Sequence, residues 1–268
     1  MDVKEIERSI IKAYKSKIYA KFLRAVKEYS LVEDGDSICV CISGGKDSFL
    51  LAKCFQELKR HSKFDFDVRY IVMDPGYKKE HLDKIKTNLD LLDIPAEIFK
   101  SNIFEEIKDY DSNSICYFCA RKRRGFLYAK AKELGCNKIA LGHHFDDVIE
   151  TILLNILYAG EYKTMMPKLK STNFEGMELI RPLYFVKEKD IISWMHHCNL
   201  EFINCACTVT EKNFGKREEI KKLIEDFRKI DKNIDIHIFK SSENINIDAV
   251  LGYKSNNKFH SFLENYKK

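Results

Sequence analysis

The stretch SICVCISGGKDSFLLAKCFQELKR, residues 37–60, contains the features that decide the fold. It begins with a short apolar run, residues 37–42, which turn residues bound on both sides, as is typical of a buried strand. Two glycines follow within Ser43–Ser48, and residues 49–60 then have the apolar spacing of a helix. This order predicts a βα unit whose connecting loop can approach an anion at the helix N-terminus.

The same alternation continues along the chain. We predict strands at 66–74, 96–100 and 138–142, and helices over 78–93, about 120–135 and 144–160. The last of these helices becomes nearly all apolar, so we expect it to be buried. Strands that alternate with helices predict an α/β fold with a doubly wound parallel sheet, whose functional loops lie at the carboxyl ends of the strands.

We divide the chain into an N-terminal helix (1–30), a nucleotide-binding domain (31–160) and a smaller helical C-terminal extension (161–268), because the strand–helix rhythm weakens after residue 160. The N-terminal helix admits two interpretations, a packed surface helix or a basic face that contacts RNA. Apolar residues at roughly helical spacing support its amphipathic character: Ile6, Ile10, Ala13, Ile18, Phe22 and Val26.

Composition and charge exclude several classes of protein. The chain has 268 residues, of which 45% are hydrophobic, and a net charge of 46 − 41 = +5, which permits a nucleic-acid partner without requiring one. It contains neither an apolar segment of membrane-spanning length nor the apolar region of a secretory signal, so we expect a soluble cytoplasmic protein with no membrane contact. The odd count of nine cysteines argues against a disulfide framework and for a reducing compartment.

The loop Ser43–Ser48 has the residue types of a phosphate-binding loop. Gly44 and Gly45 let the backbone approach a phosphate closely, and Ser48 with the first N–H groups of the helix supplies donors. Lys46 adds positive charge, and Asp47 is suited to hold Mg²⁺ beside the phosphates.

The segment GHHFDD, residues 142–147, ends a predicted strand and opens a helix. Its acidic residues could simply cap the helix, or they could form a metal site. In the second case Asp147 would reach Mg²⁺ or orient the group to be activated, and His143 and His144 would contact phosphate or RNA.

The cysteines divide into two groups. Cys116 and Cys119 form a C-x-x-C pair before a basic run, a pattern that is ambiguous between zinc, redox and iron–sulfur chemistry. A cluster that has three cysteine ligands fits the residues that remain, with Cys205 or Cys207 as the third. The other five fall inside strand or helix patterns and are expected to be structural: Cys39, Cys41, Cys54, Cys136 and Cys198.

Taken in order, SGGKDS, C-x-x-C-A-R-x-R-R-G-x-L-Y, KIALGHHxDD and the late cysteine pair resemble the tRNA 2-thiocytidine synthetase family of PP-loop ATP-pyrophosphatases. The similarity runs from about residue 20 to about residue 230. The related TtuA-type 2-thiouridine synthetases share the loop and the cluster but carry zinc-finger cysteine pairs at both ends, which this sequence lacks.

The resemblance implies roles for individual residues. Cys116, Cys119 and Cys207 would hold a 4Fe-4S cluster, although Cys205 stays open because Cys-Ala-Cys departs from the family's C-x-x-C. The backbone near Met73 would read adenine, and Arg123, Gly142 and Asp147 would line the nucleotide pocket. The residues implied to be catalytic are Asp47, Arg123, Asp147 and Cys207.

The resemblance also implies an activity. ATP and Mg²⁺ would adenylate the C2 carbonyl of a flipped tRNA cytidine, expected at position 32, and sulfur would then replace the oxygen. The expected partners are tRNA, a sulfur donor (a cysteine desulfurase or free sulfide) and a second copy in a homodimer. The alternatives are a 2-thiouridine-forming thiolase, a non-thiolating PP-loop enzyme such as tRNA-Ile lysidine synthetase, and a zinc-bound RNA-binding module.

Overall fold

The structure, a computed structural model, describes residues 1–103, 115–203 and 215–266, with the backbone alone at 115–120 and 265. The chain folds into two compact units. One contains Met1–Val148 and Met165–Gly215, and the other contains Ile149–Thr164 and Lys216–Lys268. Each unit combines two separate stretches of the chain, whereas we predicted divisions at residues 30 and 160. Those divisions stay a prediction.

The first unit is built around a six-stranded sheet. Its strands are β1 (Ser37–Ile42), β2 (Asp67–Asp74), β3 (Ala96–Lys100), β4 (Lys138–Ala140), β5 (Lys168–Lys170) and β6 (Glu178–Ile180). Its helices are α1 (Val3–Ile11), α2 (Ala20–Glu28), α3 (Lys46–His61), α4 (Lys79–Leu91), α5 (Ile115–Glu133), the start of α6 (Phe145–Leu154) and α7 (Glu188–His197).

The strand order β3-β2-β1-β4-β6-β5 confirms the predicted α/β class. Strands β1 to β4 and β6 pair in parallel, but the edge strand β5 is antiparallel to β6. The sheet is therefore mostly parallel, whereas we predicted a parallel sheet throughout. The short connection at residues 171–177 explains the difference, because only antiparallel neighbours can be joined without a long crossover. Tyr128 and Ala131 of α5 pack on Cys39, Cys41 and Ile71.

The strand order reverses at the centre of the sheet. The chain adds β2 and β3 on one side of β1 and then places β4 on its other side. Val40 of β1 pairs with Tyr70 on one side and with Ala140 on the other. Ligands of open α/β sheets bind at this kind of switch point, beyond the carboxyl ends of the strands. The loop after β1 and the segment after β4 therefore emerge side by side.

The N-terminal segment is not the single helix that we predicted. A π-helical turn, Lys15–Tyr19, separates α1 from α2, and Tyr14 rather than Ala13 is buried. The buried residues recur at every fourth position, and on a regular α-helix such a row drifts by about 40° per step. The wider turn reduces that drift, which keeps the row facing the core: Ile6, Ile10, Tyr14, Ile18, Phe22 and Val26.

The structure differs from the sequence-based description in two features around residue 160. Strands β5 and β6 have three residues each, too few for an alternating pattern to be recognised, so the sequence missed them. The apolar end of the predicted helix 144–160 forms a π-helical segment, Asn155–Ala159, and is exposed rather than buried. Ile156, Leu157 and Tyr158 keep 41%, 54% and 43% of their surface accessible.

The second unit contains most of α6, then α8 (Lys216–Ile230), α9 (Ile234–Ser241), the hairpin strands β7 (Gly252–Ser255) and β8 (Lys258–Ser261), and α10 (Leu263–Tyr266). The buried Glu150 of α6 accepts a 2.7 Å hydrogen bond from Arg217 of α8. Asp235 of α9 pairs with Arg228 of α8 at 2.8 Å. Within the described ranges, no helix is both long and apolar enough to cross a membrane.

A buried hydrogen bond between α7 and α1 gives a test of the packing in the first unit. Trp194 is fully buried, and its Nε1 donates to Ser9 Oγ at 3.0 Å. Ser9→Ala leaves this indole N–H without an acceptor, so we expect the free energy of unfolding to fall by about 1–3 kcal/mol in denaturant titrations. Ser16→Ala, at an exposed position of the neighbouring π-helical turn, is the control and should change it by less than about 0.5 kcal/mol. Equal effects of the two substitutions would contradict the assignment.

Candidate functional site

The loop Ser43–Ser48 is held in shape by its last serine. Ser48 Oγ accepts a hydrogen bond from the backbone N–H of Ser43 at 3.1 Å and donates to the carbonyl of Gly45 at 2.8 Å. Gly45 is the N-cap of α3 and supplies no side-chain cap. The first N–H groups of α3 thus point out of the loop with the helix dipole behind them, an arrangement suited to bind an anion.

The loop needs glycine at two positions, one because of its backbone conformation and one because of a close backbone contact. Gly44 has φ +91°, and a Cβ there would lie 2.5 Å from Ile203 Cδ1. At Gly142, after β4, a Cβ would lie 3.0 Å from both the carbonyl carbon of Asp47 and the nitrogen of Ser48. Because those neighbours are backbone atoms that cannot turn aside, Gly142 sets how closely the segment after β4 approaches the loop.

Beside the loop, Lys46 lies between two carboxylates. Its Nζ is 2.8 Å from Glu188 Oε1 at the start of α7 and 3.3 Å from Asp47 Oδ2. Burial lowers the pKa of Lys46, but Asp47 and Glu188 outweigh it, so the pKa lies above its ordinary value and the side chain is a cation at neutral pH.

Asp47 fits the role of a metal ligand. Its Oδ1 is buried and accepts no hydrogen bond from the described residues. Burial raises the pKa of the Asp47 carboxyl, against the opposing charges of His144 and Lys46. No group of three or more His, Cys, Asp or Glu in the described ranges is arranged to hold a metal by itself. Mg²⁺ needs no such cage, because it binds one or two carboxylates and completes its shell with phosphates and water.

The start of α6 is capped by its own acidic residue. The backbone N–H of His144 donates to Asp147 Oδ2 at 2.9 Å, and the N–H of Asp147 lies 3.4 Å from His144 Nδ1. Capping, one of the two interpretations left open, is therefore present. It does not remove these residues from the site, because the buried His144 Nε2 lies 3.9 Å from Asp47 Oδ1 and 3.9 Å from Glu188 Oε1.

Arg123 reaches the loop through a tyrosine. Its Nη2 donates to the Tyr77 hydroxyl at 3.1 Å, and that hydroxyl donates to the carbonyl of Ser43 at 3.4 Å. Arg123 Nε is buried without a hydrogen-bond partner in the described part of the chain. Met73, at the end of β2, is 5% exposed and packs with Ile103, so its side chain belongs to the core and only its backbone is left to read a base.

The structure adds three residues to the site that the sequence did not single out. Two of them are Glu188, which pairs with Lys46, and Tyr77, which links Arg123 to the loop. Nothing in the sequence around either residue marks it as part of a site. Arg181 follows β6 and lies close enough to Asp147 to interact with it electrostatically. It is 5% exposed, and its buried Nε has no hydrogen-bond partner among the described residues. A charged residue inside the apolar segment LIRPLYF, residues 179–185, is the signal that could have marked it.

The cysteines are only partly described. Cys116 and Cys119 lie on α5, where the backbone alone is described, and Cys205 and Cys207 lie outside the described residues. The ligand assignment and the choice between Cys205 and Cys207 therefore stay predictions. The five cysteines expected to be structural are all buried and free: Cys39, Cys41, Cys54, Cys136 and Cys198.

Comparison with known proteins places these features in a family. A family model described as a PP-loop domain matches residues 14–225. A protein of Pelobacter propionicus named tRNA-cytidine(32) 2-sulfurtransferase is 35% identical over 224 residues, which cover 83% of each chain. A Neisseria meningitidis serogroup C protein of the same name is 38% identical over 210 residues, 76% of this chain and 64% of that one.

A solved structure supports the fold. The U34-tRNA thiolase NcsA from Methanococcus maripaludis, described with its 4Fe-4S cluster, has a TM-score of 0.69 at 19% identity, over 87% of this chain and 79% of that one. At this identity the solved structure shows the fold alone, whereas the family model and the two sequence relatives show the family. The chain therefore belongs to the PP-loop domain family and, within it, to the family of the tRNA-cytidine(32) 2-sulfurtransferases.

Proposed function

We propose that this protein is an ATP-dependent tRNA sulfurtransferase that converts a cytidine of the anticodon loop, at position 32 as in the names of its relatives, to 2-thiocytidine. The observation that carries the proposal is the loop at the carboxyl end of β1. Its two glycine contacts, its outward-facing helix N-terminus and the Asp47 oxygen that accepts no hydrogen bond from the described residues support a site for a metal-bound polyphosphate.

In this proposal the triphosphate of ATP binds Ser43–Ser48. The N–H groups at the start of α3 donate to the phosphates, and the backbone of Met73 reads the adenine. Asp47 and Asp147 would hold Mg²⁺, which supplies positive charge where negative charge builds up on the phosphates. Lys46 is held 2.8 Å from Glu188, so this carboxylate orients the ammonium beside the loop.

The reaction is an exchange of oxygen for sulfur at C2 of the base. The C2 carbonyl oxygen attacks the α-phosphorus of ATP, the bond to the β-phosphate breaks, and pyrophosphate leaves. A sulfur nucleophile then attacks C2 and AMP departs with the original oxygen, which leaves a thiocarbonyl. Arg123 and Lys46 would stabilise the charge that develops on the phosphates, an effect typically worth about 3–4 kcal/mol per donor.

We further propose that Cys116, Cys119 and Cys207 bind a 4Fe-4S cluster. The C-x-x-C pair on α5, the basic residues that follow it and the 4Fe-4S cluster of the methanococcal thiolase support this assignment. An iron without a protein thiolate would supply a binding site for the sulfur to be transferred. The sulfur would come from a cysteine desulfurase or from free sulfide. We also propose that the protein acts in the cytoplasm as a homodimer.

The activity can be tested on cellular tRNA. In cells that lack the gene, mass spectrometry of tRNA nucleosides should detect no 2-thiocytidine, and the wild-type chain should restore it. Asp47→Asn should not restore it, because the amide keeps the shape of the side chain but loses its charge toward Mg²⁺. Asp83→Asn, an exposed position on α4, is the control and should restore it fully. Unchanged 2-thiocytidine without the gene, or the appearance of 2-thiouridine instead, would overturn the proposal.

The contact at Gly142 predicts a loss of nucleotide affinity. In Gly142→Ala the new methyl group would push on the Asp47–Ser48 peptide, so we expect ATP to bind at least about tenfold more weakly, or about 1.4 kcal/mol. Gly125→Ala is the matched control, because a Cβ there meets nothing within 4 Å and α5 would gain helix propensity. Calorimetric titration with a non-hydrolysable ATP analogue measures both, and equal affinities would contradict the role of Gly142.

The cluster assignment predicts a difference between two neighbouring cysteines. After anaerobic reconstitution, Cys116→Ser, Cys119→Ser and Cys207→Ser should each lose the absorbance near 400 nm and most of the bound iron and sulfide, because each removes a ligand. Cys205→Ser is the control and should keep all three signals. If Cys205→Ser loses the cluster and Cys207→Ser keeps it, the third ligand is Cys205. Zinc in place of iron would contradict the cluster itself.

A further inference from the structure

The first unit contains a large cleft whose described lining does not include the loop Ser43–Ser48. The cleft has a volume of about 880 Å³ and lies between α5 and the segment that contains β5 and the turn after it. None of the residues that hold the phosphate loop in shape lines it. Its walls come from residues 121–128 on one side and from residues 169–174 on the other, with Leu179 of β6 between them.

The lining of this cleft is strongly basic. Arg121, Lys122 and Arg124 contribute from α5, Lys170 contributes from β5, and no Asp or Glu is among the described lining residues. Arg121 and Lys170 are exposed and make no ion pair with any residue that the structure describes. Two exposed cations that face one cavity, with no Asp or Glu among its described lining residues, favour an anionic ligand.

The polar residues of the opposite wall suit the same ligand. Ser171, Thr172 and Asn173 line the cleft in the turn after β5. Hydroxyl and amide groups of this kind, together with Arg and Lys, make most of the contacts that proteins form with phosphate and sugar. A lysine on an edge strand can also serve to prevent strand pairing, but that explanation applies only to Lys170 and not to the three cations of α5.

Two stacked aromatic rings join the walls of the cleft, and a buried cation, Arg181, lies close enough to interact electrostatically with Arg124 and Tyr128. The rings of Tyr128 and Phe174 stack at 5.3 Å with an interplanar angle of 16°, which ties α5 to the turn after β5. Burial lowers the pKa of Arg181 to about 10, with a further contribution from Arg124, so the guanidinium stays charged at neutral pH. Its positive field adds to that of the lining residues.

The geometry of α5 connects this cleft with the phosphate loop. Arg123 points to Tyr77 at the loop, whereas Arg121 and Arg124, three positions apart and therefore neighbours on one helix face, line the cleft. We propose that the cleft binds the phosphodiester backbone of the RNA substrate, so that α5 contacts RNA on one face and the nucleotide loop on the other. This inference rests on the proposed function, since it names the surface that its tRNA substrate occupies.

The test measures the binding of an unmodified tRNA transcript by fluorescence anisotropy at several salt concentrations. Arg121→Ala/Lys170→Ala removes two phosphate contacts, so the dissociation constant should rise about tenfold and the slope of log K against log salt should flatten by about 1.4–1.8. Lys63→Ala/Lys86→Ala removes the same charge from exposed positions elsewhere in the unit and should leave the slope unchanged. An equal effect of both double variants would overturn the proposal, because net charge alone would then explain binding.

A second arm distinguishes an RNA surface from a small-anion site. Tripolyphosphate should compete with the transcript only weakly, in the millimolar range, and its competition should change little in Arg121→Ala/Lys170→Ala. Tight, micromolar competition that this variant abolishes would overturn the RNA assignment in favour of a small polyphosphate. ATP affinity, measured in parallel, should equal that of the wild type.

The outcomes for the cleft and for the proposed activity are separable. RNA affinity that depends on Arg121 and Lys170, together with no effect of the gene on 2-thiocytidine, would keep the cleft and reject the sulfurtransferase. Thiolated tRNA together with an unchanged RNA affinity in Arg121→Ala/Lys170→Ala would keep the enzyme and reject the cleft.

Discussion

The contact between Gly142 and the Asp47–Ser48 peptide is the constraint on which the candidate site depends. Adjacent pairing of β1 with β4 brings the two segments together at the carboxyl edge of the sheet, and the missing side chain lets them meet at backbone distance. The start of α3 and the start of α6 are therefore fixed relative to each other. Charged groups that lie far apart in the chain can then converge within hydrogen-bond or ion-pair range.

This convergence explains the arrangement around His144. The imidazole is buried with Asp47, Asp147 and Glu188 within 4 Å, and each carboxylate also has a second task. Asp147 caps α6, Glu188 holds Lys46, and Asp47 keeps one oxygen without a hydrogen bond from the described residues. An excess of negative charge at the end of a phosphate-binding loop is suited to a divalent cation, because the cation offsets both the carboxylates and the phosphates.

Helix α5 contributes residues both to the nucleotide site and to the basic cleft. Its apolar residues pack on the sheet, Arg123 reaches the phosphate loop through Tyr77, and the basic residues on either side of Arg123 line the cleft toward β5. One rigid element thus supports both the nucleotide site and the proposed RNA surface. Because the C-x-x-C pair lies on the first turns of the same helix, α5 also carries two of the proposed cluster ligands.

Local pattern determined much of this protein. The apolar run before Ser43 predicts β1, the strands at 66–74 and 96–100 agree with β2 and β3 within one residue, and the motif order predicts the family. Patterns of this kind are visible because each needs only neighbouring residues. Tertiary structure alone decided the three-residue strands β5 and β6, the roles of Glu188, Tyr77 and Arg181, and the cleft. These depend on which distant segments the sheet order brings together, and short pairings and single side chains carry too little local signal to show that.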